Sequence, residues 1–269
     1  EFIRTVKILE PSFGGINLED ISQPACFKIL SVLRKEMKIP VWHDDQQGTA
    51  TITLAGVINA LKIVGKELAK VKIVLVGIGA ANVSAYRLLK ASGALPSNII
   101  ACDSRGTLHK ARHDIEADQE NFPDKWKICQ ESNAGNVVGT IADALVGADI
   151  LIAASKPGPG VILPEWVNKM NKDSIVFPSA NPIPEIWPWE AKEAGAKIVG
   201  TGRSDFPNQI NNSLGFPGIF RGVLDIRAKT ITDEMAIAAA HAIAAVAEEK
   251  GLNEEYIVPT MDDWEVFPR

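Results

Sequence analysis

The sequence predicts an α/β protein built on a doubly wound parallel sheet. Three observations carry that expectation. Short, continuous apolar runs recur from residue 72 onward, segments with helical patterning separate them, and the first run ends in a glycine turn. Apolar strands without alternation are those buried on both faces, which is the condition of a parallel sheet covered by helices.

The elements follow in order. Thr49–Val71 carries apolar residues at helical spacing and predicts a long helix ahead of the first strand. Lys72–Val76 (K-I-V-L-V) is that strand, and Ala80–Ser92 is the next helix, stopped by Gly93. Asn98–Cys102, Asp149–Ala153, Ser174–Phe177 and Lys197–Gly200 predict four further strands, whereas the polar stretch 105–140 carries little pattern. Thr232–Lys250 is an Ala-rich helix with Asp233 and Glu234 in its first turn and Gly251 at its end. The tail Tyr256–Arg269 is expected as an arm lying over the surface, packed back on the core.

The totals exclude several classes. With 269 residues the chain can form one large α/β domain or two modest ones, and 46% hydrophobic with 23% charged content is that of a globular protein. The net charge of −5 draws the molecule to neither nucleic acid nor membrane surface. The apolar runs are too short or too Ala-rich to span a bilayer. Cys26, Cys102 and Cys129 are odd in number and lack zinc-type spacing, which points to a reducing, cytoplasmic setting.

The stretch V-L-V-G-I-G-A-A-N, residues 74–82, stands where a strand meets a helix. Gly77 permits the tight turn. Gly79 leaves room for a pyrophosphate at the helix N-terminus, where the free N–H groups around Ala80, Ala81 and Asn82 and the helix dipole favour an anion. Asn82 occupies a position that normally takes Gly or Ala. Asp103, at the end of the second strand, suits a hydrogen bond to the adenine ribose 2′-hydroxyl and favours NAD over NADP. Arg105, two residues on, could instead turn toward a 2′-phosphate, and Asp103 could be only a turn former.

Four carboxylates gather near the N-terminus: Glu19 and Asp20, then Asp44 and Asp45 in V-W-H-D-D-Q-Q-G-T-A. Hard divalent cations such as Mg²⁺ or Mn²⁺ take oxygen ligands of this kind. From spacing alone, Glu19 and Asp20 serve equally well as caps for a helix starting near Ser22.

Taken together, E-P-S-F-G-G-I-N-L-E-D-I, I-P-V-W-H-D-D-Q-Q-G-T-A, V-G-I-G-A-A, D-S-R-G, F-P-S-A-N-P and N-Q-I-N-N-S-L-G-F-P-G resemble the successive signature blocks of the malic enzyme family. The resemblance runs from Glu10 to about Gly218, and the tail also fits, in the manner of the small bacterial or archaeal type. It implies that Glu19, Asp20 and Asp45 are divalent-metal ligands and that Asp44 is the catalytic acid beside them. It implies a cofactor phosphate contact at Thr49 and cofactor-lining residues in A-A-S-K-P-G, Ser155 among them. Asn181 and Asn212 would hold malate, Asn181 also meeting the nicotinamide end. Two positions depart from the family pattern: Lys156 replaces a small residue, and Gln47 stands where bacterial relatives usually have His.

The implied reaction is NAD(P)-dependent oxidation of malate, followed by decarboxylation to pyruvate and CO₂. The family's tyrosine acid and lysine base precede the G-G-I-N-L-E-D block, and neither Tyr86 nor Tyr256 matches. The expectation is therefore a chain with metal and cofactor sites that turns over malate poorly alone, needing a missing N-terminal domain. The domain division expected is 1–48 as the remnant of a substrate- and metal-binding region, 49–229 as a Rossmann-like NAD-binding domain, and 230–269 as helix and tail. A cytoplasmic homodimer acting on a small molecule fits this picture. Two competing readings are an amino-acid dehydrogenase nucleotide domain, which needs no metal, and a non-catalytic NAD-binding module. Trp187 and Trp189 suggest an aromatic clamp over the site-bearing loop, and His43 a structural hydrogen-bonding role.

Overall fold

Strands buried on both faces organise the molecule. The computed structural model describes residues 1–269. It begins with α1 (Phe2–Leu9), β1 (Ile16–Leu18), α2 (Ala25–Glu36) and β2 (Val41–His43), then α3 (Thr49–Val64) after a π-type turn at Asp44–Gly48. β3 (Ile73–Val76), α4 (Ala80–Ala91), β4 (Ile99–Asp103) and β5 (Gly106–Thr107) follow. α5 (His113–Glu116), α6 (Pro123–Glu131) and α7 (Ile141–Leu145) lead to β6 (Ile150–Ala153). Next come α8 (Pro164–Val167), β7 (Ser174–Pro178), α9 (Pro188–Glu193) and β8 (Ala196–Val199), then α10 (Phe216–Asp225) and α11 (Asp233–Lys250).

The main sheet has the order β5-β4-β3-β6-β7-β8 and is parallel except for the short β5 hairpin. All five expected strands are present, with ends within a residue or two of the expectation. Ile73, Leu75, Ile152 and Phe177 point into the larger core, with residues of α3, α4 and α11. Val74, Val76, Leu151 and Val176 point to the opposite face and a second core. That two-sided burial is why the strands read as unbroken apolar runs. The sheet order reverses between β3 and β6, so a crevice opens at their carboxyl ends.

Three features differ from the sequence expectation or were absent from it. α3 stops at Val64 rather than Val71, because Gly65 adopts φ +65° and its N–H caps the carbonyls of Leu61 and Lys62. The N-terminal segment forms its own parallel pair, β1 with β2, over a separate core of Val6, Leu18, Leu30, Leu33, Met37 and Val41. The tail is more than a surface arm: Ile257 and Val258 belong to the larger core. Asn59 Nδ2 donates to the carbonyls of Ala244 (2.8 Å) and Ile257 (2.9 Å), tying tail and α11 to α3. No helix is long and apolar enough to cross a membrane.

Asp263 fastens the tail. Its carboxylate accepts from Lys250 Nζ (2.5 Å), the Tyr256 hydroxyl (2.7 Å) and the Thr260 N–H (2.7 Å). Burial works to raise this carboxyl, but these bonds outweigh it and hold it down at about 2. A depressed carboxylate stabilises the fold above its unfolded pKa, ~3.9, and loses that contribution as pH falls through the folded value. Asp263→Asn should therefore lower the neutral-pH stability by about 1 kcal/mol. It should also flatten the fall of Tm between about pH 4 and 2, and parallel acid limbs for variant and parent would contradict this account.

Candidate functional site: an acidic turn beside a dinucleotide crevice

The small parallel pair sets the acidic positions side by side. Leu18 is in register with His43, so Glu19-Asp20 and Asp44-Asp45 leave adjacent strand ends together. The Asp20 N–H donates to Asp45 Oδ2 at 2.9 Å, and Asp20 is held at φ +58°, an uncommon conformation for a non-glycine residue. Glu19 and Asp20 are exposed, Asp45 is half-buried and Asp44 is buried.

Asp44 is the constrained member. Its Oδ1 accepts from Trp42 Nε1 at 3.0 Å. A Cβ on Gly48 would lie 1.9 Å from that same Oδ1, so only glycine leaves room for the carboxylate. Burial pushes the Asp44 carboxyl up to about 6 against the Trp42 bond, with Glu19 and Asp45 adding to the rise. Beneath it His43 is fully buried with neither ring nitrogen bonded, and burial pushes its imidazole pKa down. Its Nδ1 lies 3.7 Å from Asp45 Oδ2. The structural hydrogen bond expected of His43 is thus approached but not made.

These carboxylates suit a cation. The only ion-pair contact of Glu19, Asp20, Asp44 or Asp45 within 4 Å is that approach of His43. As the side chains stand, no three acidic, imidazole or thiol groups converge on one point. Glu19 and Asp20 are exposed, and an all-oxygen donor set without a close cationic partner matches the requirement of Mg²⁺ or Mn²⁺.

The crevice begins at the glycine turn. Gly77 has φ +84°, and a Cβ there would lie 2.5 Å from the Ala154 carbonyl and 2.7 Å from Ser155 Cβ. The turn after β3 is therefore pressed against the loop after β6, which brings Gly77 and Ser155 together. Around Gly79 the nearest atom to an added Cβ would be Gln23 Nε2 at 3.8 Å, so the approach to the α4 N-terminus, with Ala80 and Ala81, is open. Asn82 has an unforeseen task. Buried to 1% exposure, its Nδ2 donates to the carbonyls of Val76 and Gly77, both at 2.9 Å, and locks the turn to the helix. Its side chain faces the interior, which leaves only its N–H, in the first turn of α4, for the contact expected there.

Glu185 was missed entirely by sequence reasoning. It is fully buried, and accepts from the Ser155 N–H (2.8 Å), the Ser155 hydroxyl (3.0 Å) and the Ala180 N–H (3.1 Å). It thus joins the loops after β6 and β7. A lone Glu between prolines in N-P-I-P-E carries no sequence signal of burial. Beyond it, an added Cβ on Gly202 would lie 2.9 Å from Asn181 Nδ2, so the Asn181 loop closes on the turn after β8. Arg203 braces that loop through the Pro182 carbonyl (2.6 Å) and lies over Trp187, which stacks on Trp189 at 4.8 Å. The aromatic pair thus buttresses the loop, although Trp189 remains half-exposed.

Asn211 is consumed structurally: its Nδ2 donates to the Gly202 carbonyl and its Oδ1 accepts from the Ser213 N–H. Asn212, by contrast, lies at the acidic turn, where an added Cβ on Gly48 would meet its Cβ at 3.1 Å. Thr49 is half-buried at the start of α3, its hydroxyl 3.5 Å from the Asp44 carbonyl. A continuous band thus runs from Gly77 through Ser155, Glu185, Asn181 and Asn212 to Asp44. Asp103 flanks Gly77 on β4, whose Cys102 carbonyl accepts the Gly77 N–H at 2.9 Å, but its carboxylate is engaged by Arg112 and Lys125.

Fold and crevice define a dinucleotide-binding α/β domain with an unpaired acidic turn at one end. Comparison with known proteins agrees. The family profile described as "Malic enzyme, NAD binding domain" matches residues 46–267. The chain is 50% identical over 269 residues to the NAD-dependent malic enzyme of Geobacillus stearothermophilus, covering 100% of this chain and 54% of that protein. It is 47% identical over 268 residues to the bifunctional malic/malolactic enzyme of Bacillus subtilis (strain 168), covering 100% of this chain and 63% of that one. The crystal structure of Entamoeba histolytica malic enzyme superposes with a TM-score of 0.97 at 54% identity, over 99% of this chain and 55% of the other. The chain belongs to the malic enzyme family and carries its NAD-binding domain. It spans between about half and two thirds of the length of these relatives.

Gly48→Ala tests the geometry of the acidic turn. The methyl group must displace Asp44, and overpacking of this kind costs about 1–3 kcal/mol. Thermal unfolding should show that loss, whereas Gly65→Ala, where nothing lies within 4 Å of an added Cβ, should show only the smaller strain of its positive φ.

Proposed function

We propose that this chain holds the nicotinamide cofactor and the divalent metal of an enzyme that oxidises malate and decarboxylates the product to pyruvate and CO₂. The observation that carries this reading is the continuous band joining the glycine turn to the unpaired carboxylates. A nicotinamide end and a metal-held substrate would meet along it.

Each residue's part follows from its surroundings. Gly77 and Gly79 leave the α4 N-terminus bare for a pyrophosphate, with Ala80 and Ala81 in the anion-favouring first turn and Thr49 at the adjoining helix start. Ser155, held by Glu185, lines the crevice where the nicotinamide would lie. Asn181 and Asn212 present amides that both donate to a carboxylate and accept from a hydroxyl, which suits a 2-hydroxy acid. Glu19, Asp20 and Asp45 would hold Mg²⁺ or Mn²⁺, whose chemistry when bound is Lewis acidity at the C2 oxygen of the substrate. Asp44 keeps Oδ1 in the Trp42 bond and has Oδ2 left to hold or pass a proton.

Two features bear on how much of the reaction this chain performs. Tyr86 donates to Glu131 at 3.0 Å and Tyr256 to Asp263 at 2.7 Å, so neither phenol is available at the acidic turn. Lys156, on the loop after β6, is exposed. We read residues 1–48 as part of the substrate and metal region, 49–229 as the cofactor domain and 230–269 as its closing helix and tail. The three cysteines are free and buried, in keeping with a reducing cytoplasm.

The experiment is a Mn²⁺ titration, followed by electron paramagnetic resonance, of the parent chain and of Asp45→Asn. Affinity should fall by at least about tenfold in the variant, since even partners outside the ligand shell are worth that much, while binding of the reduced dinucleotide, read by its fluorescence, is retained. Equal Mn²⁺ affinity in the two proteins would remove the metal assignment and leave a dinucleotide-binding module without metal chemistry.

A further inference from the structure

Three acids of the N-terminal unit are each addressed by the residue two positions before them. Asn17 Nδ2 donates to Glu19 Oε2 (3.2 Å), Trp42 Nε1 donates to Asp44 Oδ1 (3.0 Å), and His43 Nδ1 faces Asp45 Oδ2 at 3.7 Å. The repeat follows from the register of the small parallel pair. Asn17 lies opposite Trp42 and Leu18 opposite His43, so both strands carry donors just ahead of the two acidic doublets. For Asp45 the choice of oxygen is clear. Oδ2 accepts from the Asp20 N–H (2.9 Å) and faces His43, whereas Oδ1 takes no donor from the chain.

His43 is the unfinished member of this set. It is fully buried, and neither ring nitrogen has a partner. Nδ1 stands about 0.5 Å beyond hydrogen-bond range of Asp45 Oδ2. Gln46 and Gln47, also buried in the turn over Asp44–Gly48, each keep an unpartnered Nε2 donor. Buried polar groups are ordinarily satisfied, so bare atoms on three neighbouring side chains call for a reason other than stability. A carboxylate can only accept. A bond to Asp45 therefore fixes the imidazole proton on Nδ1 and makes Nε2 an acceptor, the kind of group the two glutamine amides lack.

We propose that His43 is the positioning residue of Asp45: its Nδ1–H closes onto Oδ2 when a divalent cation is held at the acidic turn, and so fixes the carboxylate with Oδ1 toward the cation. The inference rests on the metal reading of Glu19, Asp20 and Asp45 and assigns the group that orients the last of them. An imidazole N–H directs the carboxylate without competing for it as a lysine or arginine would. Asn17 and Trp42 have already made the corresponding bonds to Glu19 and Asp44.

The test compares Mn²⁺ affinity, followed by electron paramagnetic resonance, in the parent chain, His43→Leu and His43→Asn. Leucine removes both ring nitrogens, whereas the asparagine amide places an N–H near the position of Nδ1. Affinity should fall by about tenfold or more in His43→Leu, the loss that follows removal of a group bonded to a metal ligand, and stay within about threefold of the parent in His43→Asn. A space-filling role would instead rank leucine at or above asparagine. The parent chain supplies an independent measurement. With Mg²⁺ present, the ¹⁵N signals of the His43 imidazole, assigned by their loss in His43→Asn, should show the proton on Nδ1 and a bare lone pair on Nε2. Should a variant fail to fold, judged by its Tm, this measurement decides alone. Equal affinity in the parent and His43→Leu, a loss in His43→Asn as large as in His43→Leu, or a proton on Nε2 in the Mg²⁺-bound chain would overturn the proposal while leaving the metal reading intact. Failure of the parent to bind Mn²⁺ would remove both.

Discussion

Burial of the Asp44 carboxylate is the constraint on which the site is arranged. An ionisable group taken out of water needs compensation, and Asp44 has one neutral donor, Trp42, with two further acids close by. The arrangement exists because Gly48 supplies no side chain, because the turn over Asp44–Gly48 is π-type, and because β1 and β2 end in register. Uncompensated negative charge at the end of an otherwise well-packed unit is the opposite of what stability alone favours. The strained Asp20 and the unbonded His43 ring sit at the same place, and such concentrations of unfavourable local terms mark functional positions.

The crevice is organised by close backbone approach rather than by charge. Gly77 allows the β3 turn to touch the β6 loop, and Asn82 holds the turn from beneath through two carbonyls. Glu185 then passes the connection to the β7 loop by gathering two N–H groups and a hydroxyl. The loops that line the crevice are thereby coupled as one rigid edge, so a ligand lying along it meets preorganised groups. Buried polar bonding does here what side-chain packing does in the strands below.

The two ends of this edge handle charge in contrasting ways. At the end of β4, acids, guanidinium groups and Lys125 are matched into a network around Asp103 and Arg112. At the acidic turn, carboxylates lack cationic partners beyond a distant imidazole. One end matches its acids with cations, and the other leaves its carboxylates without them.

Most of the fold was legible in the sequence because strand burial on two faces writes itself as apolar runs, and helix stops write themselves as glycines. The error at α3 shows the limit: apolar spacing continues past Val64, but the αL geometry of Gly65 ends the helix. The glycine turn and the acidic doublets were likewise visible, since Gly77, Gly79, Asp44 and Asp45 are local patterns. Only the tertiary structure decided what those residues face. Asn82 turns inward, Asn211 is spent on the backbone while Asn212 reaches Gly48, and Glu185 lies buried at the centre of the crevice wall. Asp103 was readable as an acid at a strand end, but not that Arg112 and Lys125, 9 and 22 residues on, would occupy it. Local sequence determines strand, turn and charge; partners brought together across loops determine whether a charge is free, and that depends on distances no spacing in the chain records.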